Sequence, residues 1–356
     1  MTSPLMRLAR PLLIAAVAAA GVLAVACGGG DATPKWDARS VGSSIRNAPF
    51  TPVIVNSNLG KGPTRLALAL LKQDQTLVLE GEVTAKLFRI AEDPEQQPAQ
   101  ATAVGEYPLT ARVIDIADHE QGHSRRLVPP DRDERGRTLG TIALRDTSTP
   151  APAAPAHDGA MSAIFTTMVN FEESGRYGAQ LTVKTGSKTY RNLLLTFIVL
   201  DKTAEPSVGD AAPKTKQKIA KDVSDLSEID SSTKPNPQLH DITVADAIAS
   251  GKPSIVAFVT PAFCQTRFCG PVVKNVVLPL SQEYAGRVHV MHIEPYDLPQ
   301  ARKGQLVAVD AALEWNLRAE PFIAVLDRQG RVTAKFEGII DLSEVKDALE
   351  TTLAAK

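Results

Sequence analysis

The stretch from Pro253 to Tyr284 constrains the fold most, because it combines a buried strand with a fixed helix start. Its first part, Pro253 to Val259, is a continuous apolar run (P-S-I-V-A-F-V) typical of a strand buried on both faces. From Val272 onward, apolar residues recur at the spacing of one helix face. Pro271 is tolerated only in the first turn of a helix, so the helix must begin close to it. The stretch predicts a strand, a turn and a helix.

Two of the three cysteines of the chain, Cys264 and Cys269, fall in this predicted turn. Cys269 is expected at the helix N-terminus, where unpaired N–H groups and the helix dipole lower a thiol pKa, and Arg267 acts in the same direction. Cys264 lies in the loop before the helix and can fold back toward Cys269. A disulfide between the two cysteines is therefore geometrically possible.

The first 27 residues have the pattern of an export signal. Arg7 and Arg10 precede an apolar run over residues 12–26, and Cys27 follows with three glycines after it. The pattern resembles a bacterial lipoprotein signal. This resemblance implies that Cys27 is lipidated and anchors the chain to the cell membrane on its extracytoplasmic side. A plain membrane anchor or an ordinary signal peptide is the alternative. Outside the reducing cytoplasm, Cys264 and Cys269 can be oxidised at rest.

Composition limits the remaining possibilities. With 356 residues, of which 44% are hydrophobic and 22% charged, the chain has globular composition and room for two domains. Its net charge of -1 gives no basic stripe, so we expect no nucleic-acid partner. Residues 28–49 are polar without periodicity and are predicted to form a tether.

Residues 50–201 are predicted to form an all-β domain. Candidate strands cover residues 51–55, 64–71, 83–89, 109–116, 163–171, 178–184 and 193–200. Short strands at this spacing favour a β-sandwich. The phrase N-F-E-E-S-G-R-Y-G at residues 170–178 resembles the Ig-like domains of exported copper-handling and cell-surface proteins, which implies an Ig-like sandwich.

Two segments are so polar and proline-rich that we do not expect them to pack into a core. Residues 118–158 are expected to be a mobile insertion in the β-domain, and residues 202–238 a linker. The insertion contains His119, Glu120 and His123 in the H-E-x-x-H spacing of zinc proteases. That site needs an apolar helix, and the flanking residues do not provide one, so we interpret these histidines as solvated loop residues.

Residues 239–356 are predicted to form an α/β domain. The order of strands and helices from Thr243 to Leu353 resembles thioredoxin, most specifically in E-W-N-L-R-A-E-P-F at residues 314–322. This resemblance implies a thioredoxin-like fold in which Pro321 is cis and lies against the active-site sulfur. The predicted fold class is thus two domains, an all-β Ig-like sandwich followed by an α/β thioredoxin-like fold.

The chain departs from the thioredoxin pattern at several positions. Cys-Gly-Pro at 269–271 ends in Val272 instead of a second cysteine, which lies upstream at Cys264. Either cysteine could therefore be the nucleophile, and the helix start favours Cys269. Ala257 stands where thioredoxins have a buried acid. Glu320 precedes Pro321, and its carboxylate would disfavour a neighbouring thiolate.

Three functions are compatible with these residues. The first is a thiol-disulfide oxidoreductase in which Cys264 and Cys269 cycle between dithiol and disulfide, with exported protein thiols and disulfides as partners and no cofactor. The second is a copper-delivery protein that binds Cu(I) through Cys264, Cys269 and His292. The third is a scaffold lipoprotein whose disulfide is only structural.

Overall fold

The computed structural model describes residues 34–91, 100–116, 161–264 and 266–355. Residues 35–356 form one compact unit. Its described part contains two β-sheets and mostly short helices. No helix in this part is long and apolar enough to span a membrane. The predicted signal peptide with Cys27 and the H-E-x-x-H histidines lie outside the described residues.

The larger sheet has eight strands. Their bounds are β1 Phe50–Ile54, β2 Leu59–Gly60, β3 Gly62–Lys72, β4 Glu82–Ile90, β5 Ala101–Asp115, β6 Met161–Phe171, β7 Gly175–Thr185 and β8 Lys188–Leu200. The spatial order is β1-β3-β6-β5-β4-β7-β8-β2, with every neighbouring pair antiparallel except β2 and β8. All seven strands predicted in this region are present, although β5 and β8 start earlier than predicted, and the short strand β2 was not predicted.

The predicted Ig-like sandwich is wrong, because these strands form one curled sheet instead of two stacked sheets. Residues 101–109 of β5 pair with β4, and residues 110–115 pair with β6. This long strand therefore joins the two halves of the sheet. Apolar residues from all eight strands, among them Leu70, Leu87, Phe165 and Val199, meet in one core inside the curl.

The smaller sheet has four strands, β9 Ser254–Phe258, β10 His289–Ile293, β11 Phe322–Leu326 and β12 Val332–Glu337, in the order β10-β9-β11-β12. Only β9 and β10 are parallel. The helices are α1 Ala38–Ser44, α2 Val244–Ala249, α3 Cys269–Val272, α4 Leu278–Glu283, α5 Leu298–Ala301, α6 Asp310–Glu314 and α7 Leu342–Ala354. A π-helical turn at Val273–Val277 joins α3 to α4. It precedes Pro279, which has no N–H for a regular helical bond.

The predicted thioredoxin-like α/β domain is also wrong. In the described residues, α7 is the only helix longer than seven residues, and the small sheet is mostly antiparallel. Its apolar face is not a separate core, because Ala67 and Ile164 of the larger sheet belong to the same cluster as Ile255 and Ile323. The order of elements along the chain could not reveal this shared core.

The segment predicted as a linker packs against this unit. Thr215, Ile219 and Asp230 are all buried, and three short 3₁₀ turns form between residues 220 and 239. At the other end of the unit, Asp341 and Glu344 form a capping box at the start of α7.

Candidate functional site

The two cysteines lie where the small sheet passes into its first helix. Strand β9 is buried along its whole length, and α3 begins at Cys269 as predicted. Pro271 occupies the first turn, where its missing N–H costs no helical bond. Cys269 is completely buried, whereas Cys264 in the preceding loop is partly exposed. Cys264 is therefore the more accessible of the two sulfurs.

The cysteines are in direct contact as free thiols. They approach within 2.6 Å of each other without a disulfide. The backbone N–H of Cys269 donates a hydrogen bond to the Cys264 sulfur at 3.3 Å, and the Thr266 hydroxyl lies 3.3 Å from the same sulfur. The helix N-terminus thus directs its N–H group to Cys264 and not to the cysteine that begins the helix.

The pKa values of the two thiols shift in opposite directions. The hydrogen bond with the Cys269 side chain, helped by Thr266 and by the Cys269 N–H, lowers the pKa of Cys264 to about 6 against the effect of burial. Burial raises the pKa of Cys269 well above its ordinary value, and the charge of Cys264 adds to this. The predicted lowering of the Cys269 pKa is wrong because complete desolvation outweighs the helix N-terminus.

A carboxylate and a cis proline lie beside the pair. The Glu320–Pro321 peptide bond is cis, the isomer that the resemblance implied for Pro321. Burial and the charge of Cys264 raise the pKa of Glu320 to about 8, although a hydrogen bond with Tyr296 opposes them. Glu320 is therefore a neutral acid at pH 7 and can hold a proton near the sulfurs. The expectation that it disfavours a nearby thiolate agrees with its electrostatic effect on Cys269.

A second group of buried polar side chains involves His292. This residue of β10 lies with Asp230 and His240, and one ligand atom from each falls within 4.8 Å of the others. Interaction with Asp230 raises the pKa of His292 to about 9 although burial lowers it. Burial would raise the pKa of Asp230, but the two histidines lower it far below its ordinary value. Together the three residues form a buried charged cluster.

The structure therefore does not group His292 with Cys264 and Cys269, the other two predicted copper ligands. Among the described residues, the group of possible metal ligands that contains His292 is completed by Asp230 and His240, without Cys264 or Cys269. Sequence reasoning missed Asp230 and His240 because they lie in and just after the supposed linker. Apolar residues in and just after that segment, such as Ile219 and Leu239, were the available signal that it packs.

Comparison with known proteins adds no relative. No protein-family model matches the chain, and no curated protein matches it.

Proposed function

We propose that this protein is a thiol-disulfide oxidoreductase that acts through Cys264 and Cys269. The observation that carries the proposal is the asymmetry of the pair: an accessible thiol with a pKa lowered to about 6 touches a buried thiol with a raised pKa. At neutral pH the first is a thiolate and the second keeps its proton. This division of roles suits an attacking thiol and a resolving thiol.

In the first step, the Cys264 thiolate attacks one sulfur of a partner disulfide. A bond forms between Cys264 and that sulfur, the partner disulfide breaks, and the second partner sulfur leaves as a thiolate that takes a proton from solvent. The accessible position of Cys264 is essential here, because the attacked sulfur belongs to another molecule. Thr266 and the Cys269 N–H hold the attacking sulfur in place.

In the second step, Cys269 loses its proton and attacks the Cys264 sulfur. The mixed disulfide breaks, the partner leaves as a dithiol, and Cys264 and Cys269 become a disulfide. The partner gains the two electrons that the protein loses, and the reverse sequence oxidises a partner dithiol. Glu320 is mostly protonated at pH 7, and its ionised fraction, which grows as pH approaches 8, can take the proton of Cys269.

Replacing each cysteine by serine should block a different step of the reaction. Cys264→Ser should abolish turnover of a glutathione mixed disulfide, because no exposed thiolate remains. Cys269→Ser should keep the first step and accumulate a covalent adduct at Cys264, which intact mass measurement detects. The iodoacetamide reaction of Cys264 should increase with pH through a single step near 6.

The proposal fails if Cys264→Ser and the unchanged chain turn over the substrate equally fast. It also fails if the alkylation step of Cys264 lies near the ordinary thiol value of about 8.5. Thr266→Val serves as a milder companion variant, because it removes one hydrogen bond from the sulfur. Its alkylation step should move upward while turnover is retained.

We further propose that this chemistry takes place outside the cytoplasm, with the chain held at the membrane by a lipid on Cys27. The support is the arrangement of basic residues, apolar run and Cys27 in the first 27 residues. An oxidising compartment would give the pair exported protein disulfides as partners.

A further inference from the structure

The cluster of Asp230, His240 and His292 contains an unsatisfied nitrogen. The Nδ1 atom of His292 is buried and has no hydrogen-bond partner. The nearest acid to it is Asp230, whose Oδ2 lies 3.7 Å away. A buried ring nitrogen is normally hydrogen-bonded, so a cation between the two atoms, a proton or a metal ion, would satisfy both of them.

The other nitrogen of His292 fixes which cation fits. Its Nε2 lies 3.0 Å from the carbonyl oxygen of Val259, which can only accept a hydrogen bond. Nε2 therefore carries a hydrogen, and once a metal ion displaces the proton of Nδ1, the ring presents the Nδ1 lone pair toward Asp230. Histidines that bind metals commonly donate their second N–H to a carbonyl in this way, which fixes the ring orientation.

The distances in the cluster match those around a small metal ion. The Nε2 atom of His240 lies 3.1 Å from Asp230 Oδ2, and His292 Nδ1 lies 3.7 Å from it. Ligands that surround a zinc ion tetrahedrally at 2.0–2.1 Å are about 3.3 Å apart. All three ligand atoms lie within 4.8 Å of one another, so the side chains would have to move closer together to form such a site.

The carboxylate is held in place for this role. The backbone N–H groups of Ser232 and Asn236 donate to Asp230 Oδ1 and Oδ2, at 2.8 and 3.3 Å. Glu294 lies on the far side of the His292 ring, with Oε1 3.7 Å from Nε2. A second carboxyl group therefore borders the cluster.

We propose that Asp230, His240 and His292 bind a divalent metal ion of the zinc class. Two imidazole nitrogens and one carboxylate oxygen form a ligand set that suits borderline first-row metals and not the thiolate-seeking Cu(I). The site is independent of the cysteine pair and does not rest on the oxidoreductase proposal. His240 and His292 also line a cavity of about 430 Å³, through which an ion can approach the buried cluster.

The test uses the full chain with Cys264 and Cys269 replaced by serine, because thiols also bind zinc. After equilibration with zinc and removal of the excess, this protein should hold one zinc more per chain than its Asp230→Asn and His240→Gln derivatives. In titrations against a competing chelator, each derivative should bind at least about 100-fold more weakly, since loss of a ligand exceeds the 10–100-fold effect of losing a neighbouring partner.

His289→Gln is the matched control, because His289 lies on the same strand but outside the cluster, hydrogen-bonded to Ser250. It should bind zinc as tightly as the parent. Histidines outside the described residues are unchanged in every protein, so they contribute equally. The Co(II) form of the parent should show the visible absorption of nitrogen and oxygen ligands.

Three results would overturn the proposal: no zinc retained by the parent, equal retention in all derivatives, or loss in His289→Gln as well. Thermal unfolding gives a test that does not depend on whether every variant folds. Zinc should raise the Tm of the parent and of His289→Gln, and an unchanged Tm in both would count against the site whether or not Asp230→Asn folds.

Discussion

Glu320 is the acidic residue of the cysteine site, and its surroundings disfavour the ionised form of its side chain. It lies in a largely buried position beside two sulfurs, one of which is a thiolate at neutral pH. Both burial and that thiolate favour the protonated carboxyl group. The group therefore stores a proton close to Cys269. Ala257, which stands where thioredoxins have a buried acid, is apolar and cannot do so.

Replacement of Glu320 should change how stability depends on pH. The pKa of Glu320 is raised to about 8 in the folded state, above its ordinary value, so the folded state keeps a proton that the unfolded state has lost. Its contribution is fully present at pH 4 and is lost as pH rises through 8. In the reduced protein, Glu320→Gln should lose less stability than the unchanged chain between pH 5 and pH 9.

The size of this difference is a few kcal/mol at most, because each pKa unit corresponds to about 1.4 kcal/mol and partial exposure of the side chain reduces the total. Urea unfolding at the two pH values measures it. Glu294 and His292 titrate in the same range in both proteins and cancel in the comparison. Glu82→Gln, at an exposed ion pair, is the control. Parallel pH curves for Glu320→Gln and the unchanged chain would refute the assignment.

At the scale of elements, one buried ion pair joins strand β3 to helix α7. Arg65 binds Glu344 through two hydrogen bonds of 2.7 and 2.8 Å, and both side chains are less than 10% exposed. The same guanidinium donates to the carbonyl oxygens of Glu337 and Ile339. These bonds connect the eight-stranded sheet with the end of the four-stranded one, so the two sheets should unfold together.

Breaking this pair should be costly. Arg65→Met leaves the buried Glu344 carboxylate with Arg112, whose Nε lies 3.8 Å away, as its remaining cationic neighbour, and we expect a loss of at most about 3–5 kcal/mol in the free energy of unfolding. Urea denaturation followed by circular dichroism provides the measurement. One transition is expected in both proteins, since the sheets share a core.

Lys184→Met is the comparison for this variant. Lys184 pairs with Glu82 at 2.8 Å, but both side chains are at least half exposed, and we expect a loss below about 1 kcal/mol. Equal losses in the two variants, or two separate transitions, would show that the Arg65 pair does not hold the sheets together.

The elements themselves were largely predictable. Alternating apolar residues located the strands, and Pro271 located the start of α3 at Cys269. The interior of the cysteine-bearing helix was less predictable, because Pro279 displaces the regular pattern into a π-helical turn. These successes share a cause: each depends on residues that are neighbours in the sequence.

At the scale of the whole molecule, the proposed lipid anchor makes a direct prediction. When the chain is produced in a bacterium that processes lipoproteins, its N-terminal peptide should begin at Cys27 and carry the added mass of acyl chains. The protein should partition into the detergent phase. Cys27→Ala should abolish both properties because it removes the acceptor sulfur.

Cys264→Ser combined with Cys269→Ser is the control for the anchor, because it changes the other two cysteines and should leave partitioning unaffected. Detection of an unmodified Cys27, or cleavage at another residue, would favour an ordinary signal peptide instead.

The candidate sites were predictable only in part. Cys264 and Cys269 stood out because the chain contains few cysteines, and His292 stood out as a histidine at the end of a strand. Asp230 and His240 did not, because their segment resembles a linker in composition. Their role arises from folding, which brings residues 230 and 240 against β10.

The sequence by itself determined the strands, the helix that begins at Cys269 and the capping of α7, because backbone and periodicity effects act over a few residues. Only the tertiary structure decided that all strands of the first region form one sheet, that Cys264 and not Cys269 is the exposed thiol, and that His292 meets Asp230. Strand pairing, desolvation and side-chain contacts depend on residues far apart in the chain, and no local pattern records them.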